Sequence, residues 1–155
     1  MKKNKRKSQP KTISNRRARF DYDLQQYLTV GLELNGREVK SLRMGHGQLR
    51  GAYVNVKDNE LWLINATINS SPGISLDETE QTRTRKLLAK RREIDQLVSA
   101  KQNGQSIVPL ELLTGGKFIK LKIAVGKGKK QYDKRQTLKR RDETRQIHTE
   151  LKRGR

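Results

Sequence analysis

The strongest constraint on this chain is the point where its apolar patterning stops. Ile119-Lys-Leu-Lys-Ile-Ala-Val125 alternates with period two, which predicts a half-buried strand. Gly126 and Gly128 then interrupt the pattern, and Lys127, Lys129 and Lys130 bring three positive charges into four residues. After Arg135 the only apolar residues are Leu138, Ile147 and Leu151. Whatever core this chain builds, it builds before residue 126. Tyr132, the only aromatic residue after Phe118, stands among the cations. Lysines offer contacts to phosphates and a ring offers a face to a base. A charged, solubilising linker is the competing reading of these ten residues.

Charge distribution favours the first reading. Residues 1–19 carry a net +9, residues 20–125 only +3, and residues 126–155 +8. Basic arms on a mildly basic body fit a nucleic-acid partner better than a small-molecule substrate. The arms lack an apolar face that would anchor them in a bilayer. An acidic protein is the remaining class of partner. With no cysteine there is no disulfide framework and no thiolate chemistry. No apolar stretch approaches the roughly 20 residues of a membrane span, and no apolar segment follows the basic N-terminus as in a secretory signal. A cytoplasmic protein is expected.

Three parts are expected: a mobile basic arm over residues 1–14, a barrel over 15–125, and a basic tail over 126–155. Phe20, Tyr22 and Leu24 alternate with aspartates, and Leu28, Val30, Leu32 and Leu34 continue the alternation, so both stretches read as strand with Phe20 and Tyr22 inward. Gln25-Gln26-Tyr27 reads as a bend or a bulge. Asn35-Gly36 signals a tight turn. Arg37 to Arg43 fits a short helix or an irregular strand. Ala52, Val54 and Val56 form a hairpin with Leu61-Trp-Leu-Ile64, which places Trp62 in the core. Asp77 and Glu80 match a capping box, and Leu87, Ile94, Leu97 and Val98 recur at helical spacing, so one long basic helix is expected up to Asn103-Gly104. Ile107 to Leu113 and Phe118 to Val125 flank Gly115-Gly116 as a second hairpin, with Pro109 at an edge, a strand start or a bulge. Five or six short strands with flanking helices predict a mainly β fold, a small antiparallel barrel of the OB or SH3-like kind. The tail is too thinly apolar to hold a helix in water and is expected to be disordered when free, ordering only against a partner. Arg141 and Arg145, four apart, repel on a bare helix, and a phosphate surface relieves that.

No catalytic constellation is present. His46 and His148 are the only histidines and have no companion at metal-ligand spacing. Gly126-Lys-Gly-Lys-Lys130 lacks the spacing and the Ser/Thr of a phosphate-binding loop. Glu38 lies between Arg37 and Lys40 and reads as a local ion pair. No enzyme activity, cofactor, metal or small-molecule substrate is expected. Of seven aromatic residues, Tyr27, Tyr53 and Tyr132 are free to stack, so recognition should rest on shape and phosphates more than on base sequence.

Several segments resemble the SmpB (small protein B) family, the bacterial partner of transfer-messenger RNA (tmRNA). They are Asn15-Arg-Arg-Ala-Arg19 with Asp21-Tyr22, Gly36-Arg-Glu-Val-Lys-Ser-Leu-Arg43, Thr82-Arg-Thr-Arg-Lys-Leu-Leu88, Val108-Pro-Leu110, Gly126-Lys-Gly-Lys-Lys130 and Tyr132-Asp-Lys-Arg135. The resemblance implies an OB-fold-like barrel that grips the tRNA-like domain of tmRNA. It also implies a tail that becomes helical in the vacant messenger channel of the small ribosomal subunit, in the ribosome-rescue process of trans-translation. The RNA-binding residues expected on the barrel are Arg16, Arg17, Arg19, Glu38, Lys40, Arg43, Arg83, Arg85, Lys86 and Lys90. Those expected on the tail, against small-subunit rRNA, are Lys127, Lys129, Lys130, Tyr132, Asp133, Lys134, Arg135, Arg140, Arg141 and Arg145. A monomer is expected. Two departures stand out. Thr29-Val-Gly31 replaces the family's usual Glu-Ala-Gly, and Ala89-Lys90 replaces a leucine followed by Asn or His. Lys90 thereby adds a charge on the side the family uses for RNA. A general rRNA-binding or ribosome-assembly protein with an OB-like body is the alternative.

Overall fold

The computed structural model describes residues 12–153, so most of the expected N-terminal arm lies outside the described residues. Order begins before residue 15, with strand β1 (Ile13–Ser14). Asn15 then caps helix α1 (Arg16–Asp21) by accepting from the Ala18 N–H, while its Nδ2 donates to the Leu49 and Pro109 carbonyls. Phe20 therefore lies in the last turn of a helix and does not start a strand. The local alternation misleads there because the Asn15 cap commits the first turn to helix.

Strand β2 (Tyr22–Leu32) carries the expected bulge, with the register shifting between Leu24 and Gln26. Asn35-Gly36 is a helix start, not a hairpin turn. Asn35 Oδ1 accepts from the Glu38 N–H, Glu38 Oε2 accepts from the Asn35 N–H, and α2 (Gly36–Arg43) follows. After β3 (Gly47–Gln48), β4 (Tyr53–Lys57) and β5 (Glu60–Ile64) form the expected hairpin, turning through Asp58 and Asn59 at positive φ. Trp62, however, points outward and is only half-buried, because Leu61 and Leu63 take the inward positions. Strand β6 (Thr67–Ile68) pairs with β3 in a separate two-stranded ladder.

The expected long helix is three elements: α3 (Glu78–Thr82), β7 (Arg85–Leu88) and α4 (Arg91–Gln102). Glu80 does cap α3 through the Asp77 N–H, and Gly104 does end α4 at φ +74°. Between them Arg85 and Leu87 point inward while Lys86 and Leu88 face out. This is a period-two pattern hidden in sequence by an arginine at a core position.

Strands β8 (Ser106–Leu113) and β9 (Lys120–Gly128) form the second hairpin, with the register shift at Pro109 to Glu111. The sheet runs β1-β8-β4-β5-β7-β2-β9, and β9 pairs back to β8, closing six strands into a ring. This is the OB-fold-like antiparallel barrel, flanked by helices. Inward residues Val30, Leu61, Leu63, Leu87, Leu121 and Ile123 fill it, and α2 and α4 add Leu42 and Leu97. Each such side chain contributes about 1.5–3 kcal/mol by burial. On the other face of the β8–β9 hairpin, Ala18 packs with Val108, Leu110 and Ala124. That hairpin is apolar on both faces, which explains the unbroken run Ile107 to Leu110.

Gly126 does not interrupt β9, which runs on to Gly128. Both glycines belong to the ladder with β2. They pair with Leu24 and Tyr22. A Cβ on Gly126 would lie 2.3 Å from the Asp23 carbonyl oxygen, so the glycine permits the close approach of β2. Residues 131–153 form one helix, α5 (Gln131–Arg153), where the sequence predicts order only against a partner. None of its residues is buried. Its Lys, Arg and Gln content favours helix locally, and its first turns touch α1 through an ion pair between Lys134 and Asp21 at 3.1 Å. Among the described residues no helix is long and apolar enough to cross a membrane.

Candidate nucleic-acid interface

The site is organised from beneath by a buried carboxylate. Glu38, on α2, receives Arg83 in a two-pronged contact, Nε to Oε1 at 2.7 Å and Nη2 to Oε2 at 2.6 Å. Arg85 Nε donates to the same Oε1 at 3.0 Å. The remaining Arg85 donors reach the carbonyls of Ala66, Arg83, Glu80 and Gln81, so all five of its N–H groups are satisfied. Burial alone would push the Glu38 carboxyl up. The Arg83 and Asn35 hydrogen bonds and the Arg85 charge outweigh it and hold the group below its usual value. For Arg83 the Glu38 hydrogen bond dominates and raises its affinity for the proton, whereas burial pulls Arg85 the other way.

Glu38 and Arg85, expected among the RNA-binding residues, are thus enclosed beneath the surface. Neither side chain is exposed. The local ion pair expected of Glu38 exists, but its partners come from β7 and the turn before it, not from Arg37 or Lys40. Arg37 pairs with Glu80 at 2.6 Å instead. The cluster ties α2 to β7, so it fixes where the outward residues of β7 stand.

Those residues lie on the outer surface of the β9-β2-β7 strip. Gly31 pairs with both Leu88 and Lys120, and Thr29 pairs with Lys122. Leu88 is 52% exposed and Tyr27 53%. Lys122 Nζ lies 5.8 Å from the centre of the Tyr27 ring. Lys86, beside this strip, is tied to Glu60 at 2.6 Å, and that hydrogen bond raises its pKa. Lys40 and Lys90 are exposed on α2 and just before α4. Lys120 and Lys122 went unrecognised in the sequence reading. The signal was the alternation Ile119-Lys-Leu-Lys-Ile123, which must send both lysines outward if the apolar residues face the core.

The other predicted residues fall elsewhere. Arg16, Arg17 and Arg19 are exposed on α1, with Arg17 paired to Asp21 and Arg19 to Glu111. Arg43 turns to the β8–β9 loop and donates to the Gly116 and Lys117 carbonyls. Lys127 is exposed near the end of β9, and Lys129 and Lys130 lead into α5. Lys129 donates through its backbone N–H to the Asp21 carbonyl at 2.8 Å. Burial raises the pKa of Asp21, but Lys134 and Arg17 overcome it and lower the net value. Tyr132 is 68% exposed in the first turn of α5, near Asp133 and Arg135. Arg140 and Arg145 are exposed along the helix, and Arg141 lies 5.9 Å from the Phe20 ring. Tyr53, the third expected stacker, is exposed on the β4 side.

What this arrangement defines is a class: a small closed barrel presenting outward cations and exposed rings, continued by a bare basic helix. The chain belongs to the SmpB protein family, which it matches over residues 12–153. It is 47% identical over 135 residues to the SsrA-binding protein of Sphingomonas elodea, covering 85% of this chain and 84% of that one. It is 43% identical over 150 residues to the SsrA-binding protein of Coxiella burnetii, covering 95% and 94%. A solved chain described as "tmRNA-SmpB: a journey to the center of the bacterial ribosome" superposes with a TM-score of 0.62 at 34% identity, covering 77% of this chain and 85% of that one.

Proposed function

We propose that this protein is a non-catalytic adaptor that binds tmRNA and carries it to stalled ribosomes for trans-translation in the cytoplasm. The observation that carries the reading is the division of its positive charge. Lys40, Lys90, Lys120 and Lys122 stand outward on the barrel with no ion-pair partner among the described residues, and a second set lines a helix that buries nothing. Two cationic surfaces, one rigid and one bare, suit a protein that holds one RNA while reaching into another. The barrel surface takes the tRNA-like domain by shape and phosphate contact. The tail, from Lys127 onward, takes small-subunit rRNA, with Tyr132 placed to stack on a base. The relatives named for binding SsrA and the solved tmRNA complex support this assignment.

A chain ending after Lys130 tests it, because that cut leaves every β9 pairing intact. It should still bind tmRNA, more weakly, and should fail to support tagging of stalled peptides. Normal tagging by this truncation removes the tail from the mechanism. Competition at physiological salt separates the adaptor from a general rRNA-binding protein. The adaptor prefers tmRNA over bulk rRNA fragments, and equal binding supports the general role.

A further inference from the structure

Phe118 is 70% exposed, the largest value for an apolar side chain among the described residues of the barrel and tail. It sits in the loop between β8 and β9, and the surrounding contacts hold it there. Arg43 Nη2 donates to the carbonyls of Gly116 at 3.2 Å and Lys117 at 3.0 Å, clamping the loop to the end of α2. The next residue, Ile119, is buried and anchors the other side. Phe118 lies in the bend that precedes β9, and past the buried Ile119 the strand turns Lys120 and Lys122 outward.

The adjoining chain is cationic. Lys117 Nζ lies 5.4 Å from the Phe118 ring centre, and no acidic residue occurs between Glu111 and Asp133. An apolar protein surface docking here would bury Lys117 and Lys120 without counter-charge. A nucleobase brings its own phosphates and a flat face. The geometry points to Phe118 as a base-stacking finger for RNA, held in the loop that leads into Lys120 and Lys122. Arg43 is its positioning residue, not a phosphate contact. This rests on the RNA-binding reading above.

The test measures tmRNA affinity across a salt series for the full chain, F118A, F118W and R43A, and follows indole emission in an F118W/W62F double variant. F118A loses roughly tenfold in affinity with an unchanged salt slope, as expected for a lost stack, and F118W restores binding. Emission of F118W/W62F is quenched when RNA is added. R43A weakens binding without changing the slope, and in that background the indole of F118W/W62F becomes more mobile by fluorescence anisotropy. F118A binding like the unaltered chain, or emission that RNA leaves untouched, overturns the finger. A salt slope that falls by about one in R43A makes Arg43 a phosphate ligand and overturns its positioning role. An unaltered chain that binds no RNA overturns the adaptor reading and this one together, which distinguishes the two failures.

Discussion

Glu38 and Arg85 stand 3.0 Å apart with neither side chain open to solvent, although 47 residues separate them in the chain. A buried ion pair is weak evidence of net stabilisation, because desolvating both charges offsets much of their attraction. Breaking it is a different matter. Glu38→Gln leaves the fully enclosed guanidinium of Arg85 without counter-charge and releases Arg83. The expected loss is about 3–5 kcal/mol in urea unfolding. A loss under about 1 kcal/mol would mean that the five-fold hydrogen bonding of Arg85 suffices without the charge.

The same carboxylate sets an acid limit. Its pKa is held below the ordinary 4.5, so between the two values the unfolded chain binds more protons than the folded one. The stability contributed by Glu38 is therefore complete above about pH 4.5 and is lost as pH falls through the lowered folded value. Urea midpoints taken between about pH 5 and pH 3 should drop steeply in the unaltered protein and more gently in Glu38→Gln.

Gly126 is expected to tolerate no side chain. The Cβ of Gly126→Ala meets the Asp23 carbonyl oxygen at 2.3 Å, and that atom belongs to backbone. The start of β2 must move away, at a cost of roughly 1–3 kcal/mol. Gly128→Ala, with nothing within 4 Å, should be nearly silent apart from backbone entropy. Thermal melts of the two variants decide this.

Lys90 is exposed and supplies a charge just past the end of β7. Lys90→Ala should lower the salt slope of tmRNA binding by about one. An unchanged slope would place Lys90 away from the phosphates.

Helix α5 should be marginal in the free protein. It buries no residue, and its tertiary ties lie in its first half, at Lys134 with Asp21 and Arg141 beside Phe20. Amide hydrogen exchange should show little protection beyond about residue 141 in the free chain, with protection appearing on ribosome binding. Strong protection throughout the isolated chain would give the helix a stability that its own sequence and these contacts do not account for.

Much of the barrel was readable from alternation alone. The β4–β5 and β8–β9 hairpins, the bulge near Gln25 and the irregularity at Pro109 follow from period-two apolar spacing and from the missing proline N–H, both of which are local. The basic ends were equally plain, since charge needs no partner to be counted. The Arg83-Thr-Arg-Lys86 stretch was not readable. An arginine normally marks a surface, and Arg85 is interior because Glu38 on α2, the Ala66 carbonyl and three carbonyls from the turns just before it meet it there. With Arg85 inward, Leu87 follows it, β7 replaces a helix, and the ring closes between β5 and β2. Sequence by itself determined that this chain makes a small antiparallel β fold with cationic ends, because alternation and net charge are properties of neighbouring residues. Tertiary structure alone decided which cations stand outward and which are enclosed, because that depends on a carboxylate delivered from a distant helix.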